Sequence, residues 1–510
     1  MLWWSFHQGW TLDYGDAEAR LNIARRILDS RTPGYEQIGT VWLPLPQVLL
    51  MPLAKDDAAW RSGRAAAGFG TVFFTQACLF FFLFLRRIFV SQTAAFVGLV
   101  VLGANPNLLY LQATPMTEPV FLAFAFAALY FLAVLKDSKA TWPAAAAGAA
   151  ATLAAMVRYE GWFLLPFLTA VAFALAPQRR LRAALLFAIP AGAGPVYWLL
   201  HNAWCCGDWL EFYRGPWSAK AIYQRQLQQG MEPYPGSGDW REATRYFFEA
   251  ARLSAGWPLV VVGLVGTLFC LIQRVFWPVF VLALAPVFYV LSMASAGTPI
   301  FVPQLWPNSY YNTRYGLALL PLLAFGAAGL AARLARWRTG PCLAVIAVCL
   351  SVWMLPPAPD NWICWKEARV NSEIRRRWTH EAASYLREHY RGGGIISSFG
   401  DLTGIYRAAG IPLRETLHEG NGPAWLGVMQ RPELFLHEEW AVAMSGDVVA
   451  TALLRSRHRG GPRYRCVKML TFRGGPVIEI YRRDSTGPPA PPLPMLKEKD
   501  NEPDSENNSA

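Results

Sequence analysis

The chain is short of charge. Asp, Glu, Lys and Arg make up 16% of its 510 residues, where a soluble domain carries about 25%. A string of ordinary soluble domains is therefore excluded, and with 54% hydrophobic residues so is a disordered chain. Cysteine is present but without pattern: the eight Cys form no C-x-x-C pair, and no His stands at zinc-ligand spacing. That removes a disulfide scaffold and gives no support to a thiol or zinc centre. No G-x-S-x-G or Walker A pattern occurs, the seven His are isolated, and Gly392–Gly394 reads as a plain turn. Soluble hydrolase, ATP and dinucleotide chemistry have nothing to stand on. No internal repeat is visible.

What the sequence has instead is length in apolar runs. Stretches of bilayer length fall at about 65–85, 92–112, 117–135, 142–157, 161–176, 183–203, 257–272, 276–296, 315–333 and 341–357. They predict a polytopic α-helical membrane protein of about ten spans, in which the short runs flanking Arg158–Glu160 could form a tilted or re-entrant pair. The 22 Trp suit a chain that spends much of its length near a bilayer interface.

The balance of 47 basic against 35 acidic residues gives a net charge of +12. Nucleic acid is not the implied partner, because in a polytopic protein excess base marks cytoplasmic loops. Arg86 and Arg87, Lys136 and Lys139, Arg179, Arg180 and Arg182, Arg274, and Arg333, Arg336 and Arg338 all stand in short connections of one alternate set. By the positive-inside rule that set is cytoplasmic. The first 64 residues, the Glu118 and Arg158 turns, the long loops after His201 and Gly297, and the tail from about 358 are then extracytoplasmic. The N-terminus falls outside too, yet Met1–Leu12 is too short to span and lacks a signal peptide's basic region and cleavage site. Either the first span inserts N-out unaided, or one membrane helix that belongs upstream is missing from this sequence; the second reading is preferred.

The expected organisation is a juxtamembrane helix and loop carrying an acidic motif (1–64), a membrane module (65–357), a small extracytoplasmic α/β domain (358–483) and a disordered tail (484–510). Helical periodicity over Glu373–Tyr390 followed by strand-like runs at Ile395–Phe399, Trp440–Met444, Tyr464–Phe472 and Val477–Tyr481 carries the third assignment. The Pro-rich, then polar, composition carries the fourth.

The candidate chemistry gathers on the outer side. Residues 14–28 predict an amphipathic helix, with Ala17, Leu21, Ala24 and Ile27 on one face and Glu18, Asn22, Arg25 and Asp29 on a polar ridge that solvent explains. Asp16 at the helix start reads as a cap with Arg20 as a local ion pair, or as an acid looking into a groove. Asp16 and Glu18, two positions apart, point about 200° from each other, so they cannot both face one substrate; Asp16 ranks first. Pro33–Gln47, with Trp42, predicts a rigid irregular interfacial loop. Glu118 before Pro119 is a helix cap or a functional acid at the mouth of a span. Arg158 and Glu160 between two spans form an internal pair or a site. Arg314, in Ser309–Tyr315, could grip a phosphate with its donor fork or anchor its helix at the headgroups.

Taken in order, Gly15-Asp16-Ala17-Glu18-Ala19-Arg20, Trp42-Leu43-Pro44-Leu45-Pro46, Met116-Thr117-Glu118-Pro119, Arg158-Tyr159-Glu160-Gly161-Trp162 and Asn312-Thr313-Arg314-Tyr315 resemble the polytopic glycosyltransferases of the C superfamily (GT-C). The likeness is greatest to the bacterial protein O-mannosyltransferase and aminoarabinose transferase-like group, and covers about residues 10–350. It implies transfer of a sugar from a polyprenyl-phosphate donor to an acceptor hydroxyl on a glycan, lipid or protein, with inversion, at the outer face of the plasma (inner) membrane. It makes Asp16 the general base and Glu18 and Glu118 the accompanying catalytic acids, Glu118 positioning the acceptor or a divalent cation. Arg20, Arg158, Arg314 and Tyr315 become the donor-phosphate group, and Tyr14, Trp42 and Glu160 the substrate lining. Metal use stays open. The chain departs from the pattern where Ala17 separates two acids that are usually adjacent or nearly so. The alternatives are a transporter or flippase of a lipid-linked substrate, which calls for mid-span ionisable residues and repeated halves, and a non-catalytic assembly protein with the same fold.

Overall fold

The computed structural model describes residues 2–295, 298–335, 340–354 and 361–484. The tail beyond 484, and Arg336 and Arg338 of the basic loops, lie outside the described residues. The chain divides into two compact units, Met1–Glu388 with Thr403–Arg414, and His389–Leu402 with Glu415–Ala510.

The first unit is helical. It opens with α1 (Gly15–Arg26) and α2 (Leu45–Ala54), and continues through α3 (Arg64–Phe89), α4 (Gln92–Gly103), α5 (Glu118–Asp137), α6 (Trp142–Ala155), α7 (Tyr159–Leu175) and α8 (Arg180–Cys206). Then come α9 (Trp240–Ala255), α10 (Trp257–Ile272), α11 (Phe276–Ser295), a 3-10 turn at Thr313–Leu319 running into α12 (Leu320–Leu334), α13 (Gly340–Met354) and the polar α14 (Ile363–His389). Helices occupy all ten apolar runs among the described residues. Five segments are long and apolar enough to cross a bilayer alone: α3, α5, α8, α11 and Thr313–Leu334. The chain is an integral membrane protein on that ground.

The remaining apolar helices have 17 residues or fewer. Residues 92–112 do not form one span, because Asn105 accepts from the backbone amides of Asn107 and Leu108 at 3.0 and 3.3 Å and starts a new helix at Pro106. The cap closes α4 at 12 residues, about 18 Å of rise against a hydrocarbon core of about 30 Å. Between α9 and α10 the axis turns by 107° at Gly256, whose φ of 83° favours glycine. Close helix packing also rests on small residues: a Cβ on Gly263 of α10 would come within 2.7 Å of the Leu323 Cα on α12, as expected of helices that meet through glycine in a membrane.

The second unit carries a five-stranded sheet in the order β2-β1-β3-β5-β4, made of β1 (Ile395–Ser397), β2 (Thr416–Leu417), β3 (Trp440–Met444), β4 (Tyr464–Leu470) and β5 (Ile478–Arg483). β1 runs parallel to β2 and β3, while β5 is antiparallel to β3 and β4. Two helices, α15 (Pro423–Gln430) and α16 (Val448–His458), help form a core of Ile396, Leu417, Trp425, Val428, Val449 and Leu453. A small C-terminal sheet domain is present as the sequence suggests, but the helix expected to open the 358–483 segment and residues Thr403–Arg414 belong to the first unit.

Candidate functional site

The site starts at α1. Tyr14 is the N-cap residue and offers no side-chain cap, so Asp16 is not the capping residue the sequence suggests; it stands in the first turn with its carboxylate free for another partner. That partner is Arg314, whose Nη2 donates to Asp16 Oδ2 at 2.8 Å. The expected local Asp16–Arg20 bridge does not form. Arg20 lays its guanidinium over the Trp42 ring, 4.5 Å from the centroid, and its Nε and Nη1 are closed to solvent with no hydrogen-bond partner among the described residues. Burial pushes the Arg20 pKa down to about 10, opposed by the nearby Asp16 charge, and the side chain still carries its charge at neutral pH.

The polar ridge of α1 is not a solvated face, and this corrects the reading of Glu18. Its carboxylate is held by Arg407, with Nε at 2.7 Å and Nη2 at 3.0 Å. Asn22 accepts from Trp60 Nε1 at 2.9 Å. Arg25 binds Asp29 at 2.9 Å and also pairs with Asp57, and Asp29 accepts from Arg414 at 3.0 Å. Each polar group of the ridge finds a complementary group on a neighbouring segment of the same unit, so the ridge is an internal seam. Glu18 therefore points away from Asp16 and is spent on Arg407.

Glu118, at the start of α5, is not a cap either. Its Oε1 accepts from Arg158 Nη1 at 2.9 Å and stands 3.3 Å from Arg314 Nε, bridging two guanidinium groups. Its Oε2 is buried without a hydrogen-bond partner among the described residues. Arg158, the residue before α7, also donates to Thr117 Oγ1 at 2.6 Å and to the Tyr289 hydroxyl at 2.5 Å, and pairs with Glu160 at 3.2 Å. The Tyr289 hydroxyl in turn donates to Glu160. Tyr315 stacks on Tyr289 with ring centroids 4.7 Å apart and has Arg158 and Arg314 at 5.5 and 5.2 Å from its ring centre, an arrangement that favours a cation over the π face.

Exposure separates the carboxylates. The Asp16 side chain is 41% exposed, whereas those of Glu118, Glu160 and Glu367 are 9%, 6% and 3% exposed. Only Asp16 of these four combines an arginine partner with access. Such a carboxylate can take a proton from a hydroxyl, while guanidinium groups fixed beside it can hold an anion.

A partly open cavity adjoins this cluster. Its polar end is Glu118, Glu160, Tyr289, Arg314 and Tyr315, and its walls are aliphatic and aromatic residues of α5, α6, α7, α11 and α12, with Ala125, Leu129, Leu164 and Leu282 among them. A charged cluster thus borders an apolar cavity within the helical unit.

Comparison with known structures adds to this geometry. ArnT from Cupriavidus metallidurans in the apo state matches with a TM-score of 0.52 at 12% identity, over 91% of this chain and 92% of that one. ArnT from the same organism bound to undecaprenyl phosphate matches with a TM-score of 0.55 at 10% identity, over 94% of this chain and 97% of that one. The chain shares their fold. No protein family and no curated protein matches the sequence itself.

Of the sequence candidates, Asp16, Glu118, Arg158, Glu160, Arg314 and Tyr315 come together, and Arg20 on its Trp42 platform stands beside them. Glu18 does not join them. Tyr14 is buried, donates its hydroxyl to the Cys364 carbonyl at 2.8 Å and lies under Arg314 at 5.1 Å, so it supports an arginine. Sequence reasoning missed Tyr289 and Glu367. Tyr289 was detectable as a hydroxyl inside an otherwise apolar run; Glu367, in a helix rich in both charges, gave no signal.

Proposed function

We propose that this protein is a membrane glycosyltransferase that moves a sugar from a polyprenyl-phosphate donor to an acceptor hydroxyl, with inversion, on the extracytoplasmic face. The observation that carries the reading is the arginine–carboxylate cluster at the polar end of an apolar cavity. A lipid phosphate needs both, a cationic socket for the head and a dry chamber for the chain. The fold shared with a structure bound to undecaprenyl phosphate supports the same ligand class, and the basic short loops support the orientation.

In this reading the acceptor hydroxyl attacks the anomeric carbon from the face opposite the phosphate. Asp16 takes the hydroxyl proton as the new C–O bond forms. The bond between the anomeric carbon and the phosphate oxygen breaks, and the electron pair leaves with the polyprenyl phosphate. Arg20, Arg158 and Arg314 stabilise that charge; Arg20 contributes the unpaired N–H groups, while Arg158 and Arg314 are held in advance by Glu118, Glu160 and Tyr289, so little reorganisation is needed. Glu18 has no chemical part and holds α1 in place. A resident divalent cation does not fit the donor set. Glu118 and Glu160 are engaged by guanidinium groups, and no group of three or more His, Cys, Asp and Glu converges among the described residues, so a cation would have to displace an arginine.

The test uses the purified full chain with undecaprenyl-phosphate-linked hexoses and pentoses and a membrane extract as acceptor source, following released undecaprenyl phosphate by mass spectrometry. Wild type turns over, and Asp16→Asn loses about 10²–10⁴-fold in rate while binding undecaprenyl phosphate no more weakly. Undiminished turnover by the variant removes Asp16 as the base. Binding without release from any donor points to a transport or assembly role.

A further inference from the structure

Arg314 is held from behind by a residue that the reaction itself does not use. Glu367, in the second turn of α14, is fully enclosed and receives four donors on two oxygens. The backbone amides of Asn312 and Thr313 donate to it at 3.0 and 2.7 Å, the Thr313 hydroxyl donates to the same carboxylate, and Arg314 Nη1 stands at 3.4 Å. Asn312 takes the left-handed conformation with φ 54°, which is uncommon outside glycine, and its side chain donates to the Pro299 carbonyl at 3.0 Å. The turn that aims Arg314 is therefore built around one carboxylate. Burial raises the Glu367 pKa, and Arg314, Thr313 and Asn312 oppose that rise. Three N–H donors and the Thr313 hydroxyl converge on the group, an arrangement that favours its charged form.

The same helix holds the other half of the site. Arg369 and Arg376 pair with the enclosed Asp13 carboxylate at 3.1 and 3.5 Å, and Arg375 donates to the Asp13 carbonyl at 2.5 Å. Asp13 lies three residues before Asp16, so α14 fixes both the acid and the arginine that meet at 2.8 Å.

We propose that Glu367 is a positioning residue that draws on Arg314 from behind and keeps it shared with Glu118, so that its existing contact with Asp16 is not strengthened further at the expense of Asp16 as a base. This rests on the glycosyltransferase reading above. Around Asp16 the charged and titratable groups are Arg314, Arg20, Arg375 at the adjacent Gly15, Tyr311 and Tyr315. Around Glu367 they are Arg314, Tyr14, Tyr110, Tyr311 and Cys364. Withdrawing the Glu367 charge leaves Arg314 more strongly drawn to Asp16 and removes a negative neighbour; both changes make the carboxylate harder to protonate and a poorer base.

The experiment compares wild type, Glu367→Gln and Thr313→Val in release of undecaprenyl phosphate from undecaprenyl-phosphate-linked sugars across pH. In Glu367→Gln, kcat falls by about tenfold or more, KM for the lipid donor moves by less than about threefold, and the acid limb of the rate profile shifts to lower pH. Thr313→Val keeps the charge and loses one donor, so kcat falls by a smaller factor and the acid limb stays in place. An acid limb unmoved in Glu367→Gln, or an unchanged kcat, overturns the proposal. If Glu367→Gln does not fold, an unchanged kcat in Thr313→Val overturns it. Absence of turnover in wild type is a separate outcome, which refutes the glycosyltransferase reading and the positioning role with it.

Discussion

Replacing Glu118 with Gln should make the site bind better and work worse. Glu118 bridges Arg158 at 2.9 Å and Arg314 at 3.3 Å, so it occupies guanidinium faces that a lipid phosphate needs. Three arginines, Arg20, Arg158 and Arg314, stand among four carboxylates, Asp16, Glu118, Glu160 and Glu367. The substitution leaves three charges of each sign. Stranding a buried ion costs about 3–5 kcal/mol, but Arg158 keeps Glu160 and Arg314 keeps Asp16 and Glu367, so a loss of about 2 kcal/mol in stability, the scale of one charged hydrogen bond, is expected. Against that, removing one negative charge about 7 Å from a docked phosphate, at an effective dielectric near 20, is worth about 2.4 kcal/mol, or roughly fiftyfold in affinity. Undecaprenyl phosphate titrated into the full chain in detergent micelles, read by tryptophan fluorescence, should give a lower Kd, and donor turnover should fall because the arginines lose their spacing. A Kd raised tenfold in a folded variant would refute the reasoning, since Glu118 would then not be competing with the phosphate.

Two further variants probe the chamber and the seam. Ala125→Phe puts a ring into the apolar cavity beside Leu129 and should weaken binding of undecaprenyl phosphate while leaving a short-chain isoprenyl phosphate within about twofold; equal loss of both would place the long chain elsewhere. Arg407→Ala removes the two-point hold on Glu18 and should lower stability by about 2 kcal/mol. Glu18→Gln added to it should cost little more in a double-mutant cycle; full additivity of the two losses would mean that the pair does not act as a unit.

The membrane architecture was legible because burial in lipid leaves long apolar runs, and among the described residues helices fill those runs, the one at 92–112 as two pieces. The break at Asn105 was harder to see, since a two-residue cap inside an apolar stretch interrupts the helix without changing mean hydropathy. Glu118, Arg158, Glu160, Arg314 and Tyr315 could be named because each is an ionisable group at the end of an apolar run, where charge is costly without a purpose, and Asp16 because it opens an amphipathic helix. Glu18 misled for the opposite reason. Helical spacing says that Glu18, Asn22, Arg25 and Asp29 share a face, but it cannot say whether that face meets water or Arg407, Trp60, Asp57 and Arg414. Glu367 was invisible because it lies 53 residues from Arg314 in sequence, and only the fold brings a helix after the last apolar run back against the turn at Asn312.

The position of a bound lipid phosphate decides whether the arginine cluster is the donor site. A cryo-electron microscopy structure of the full chain with undecaprenyl phosphate should place the phosphate within hydrogen-bond distance of Arg20 and of Arg158 or Arg314, next to Asp16, with the isoprenoid chain entering the cavity between α5, α7 and α11. A phosphate bound away from these arginines, with the cavity empty, would contradict it.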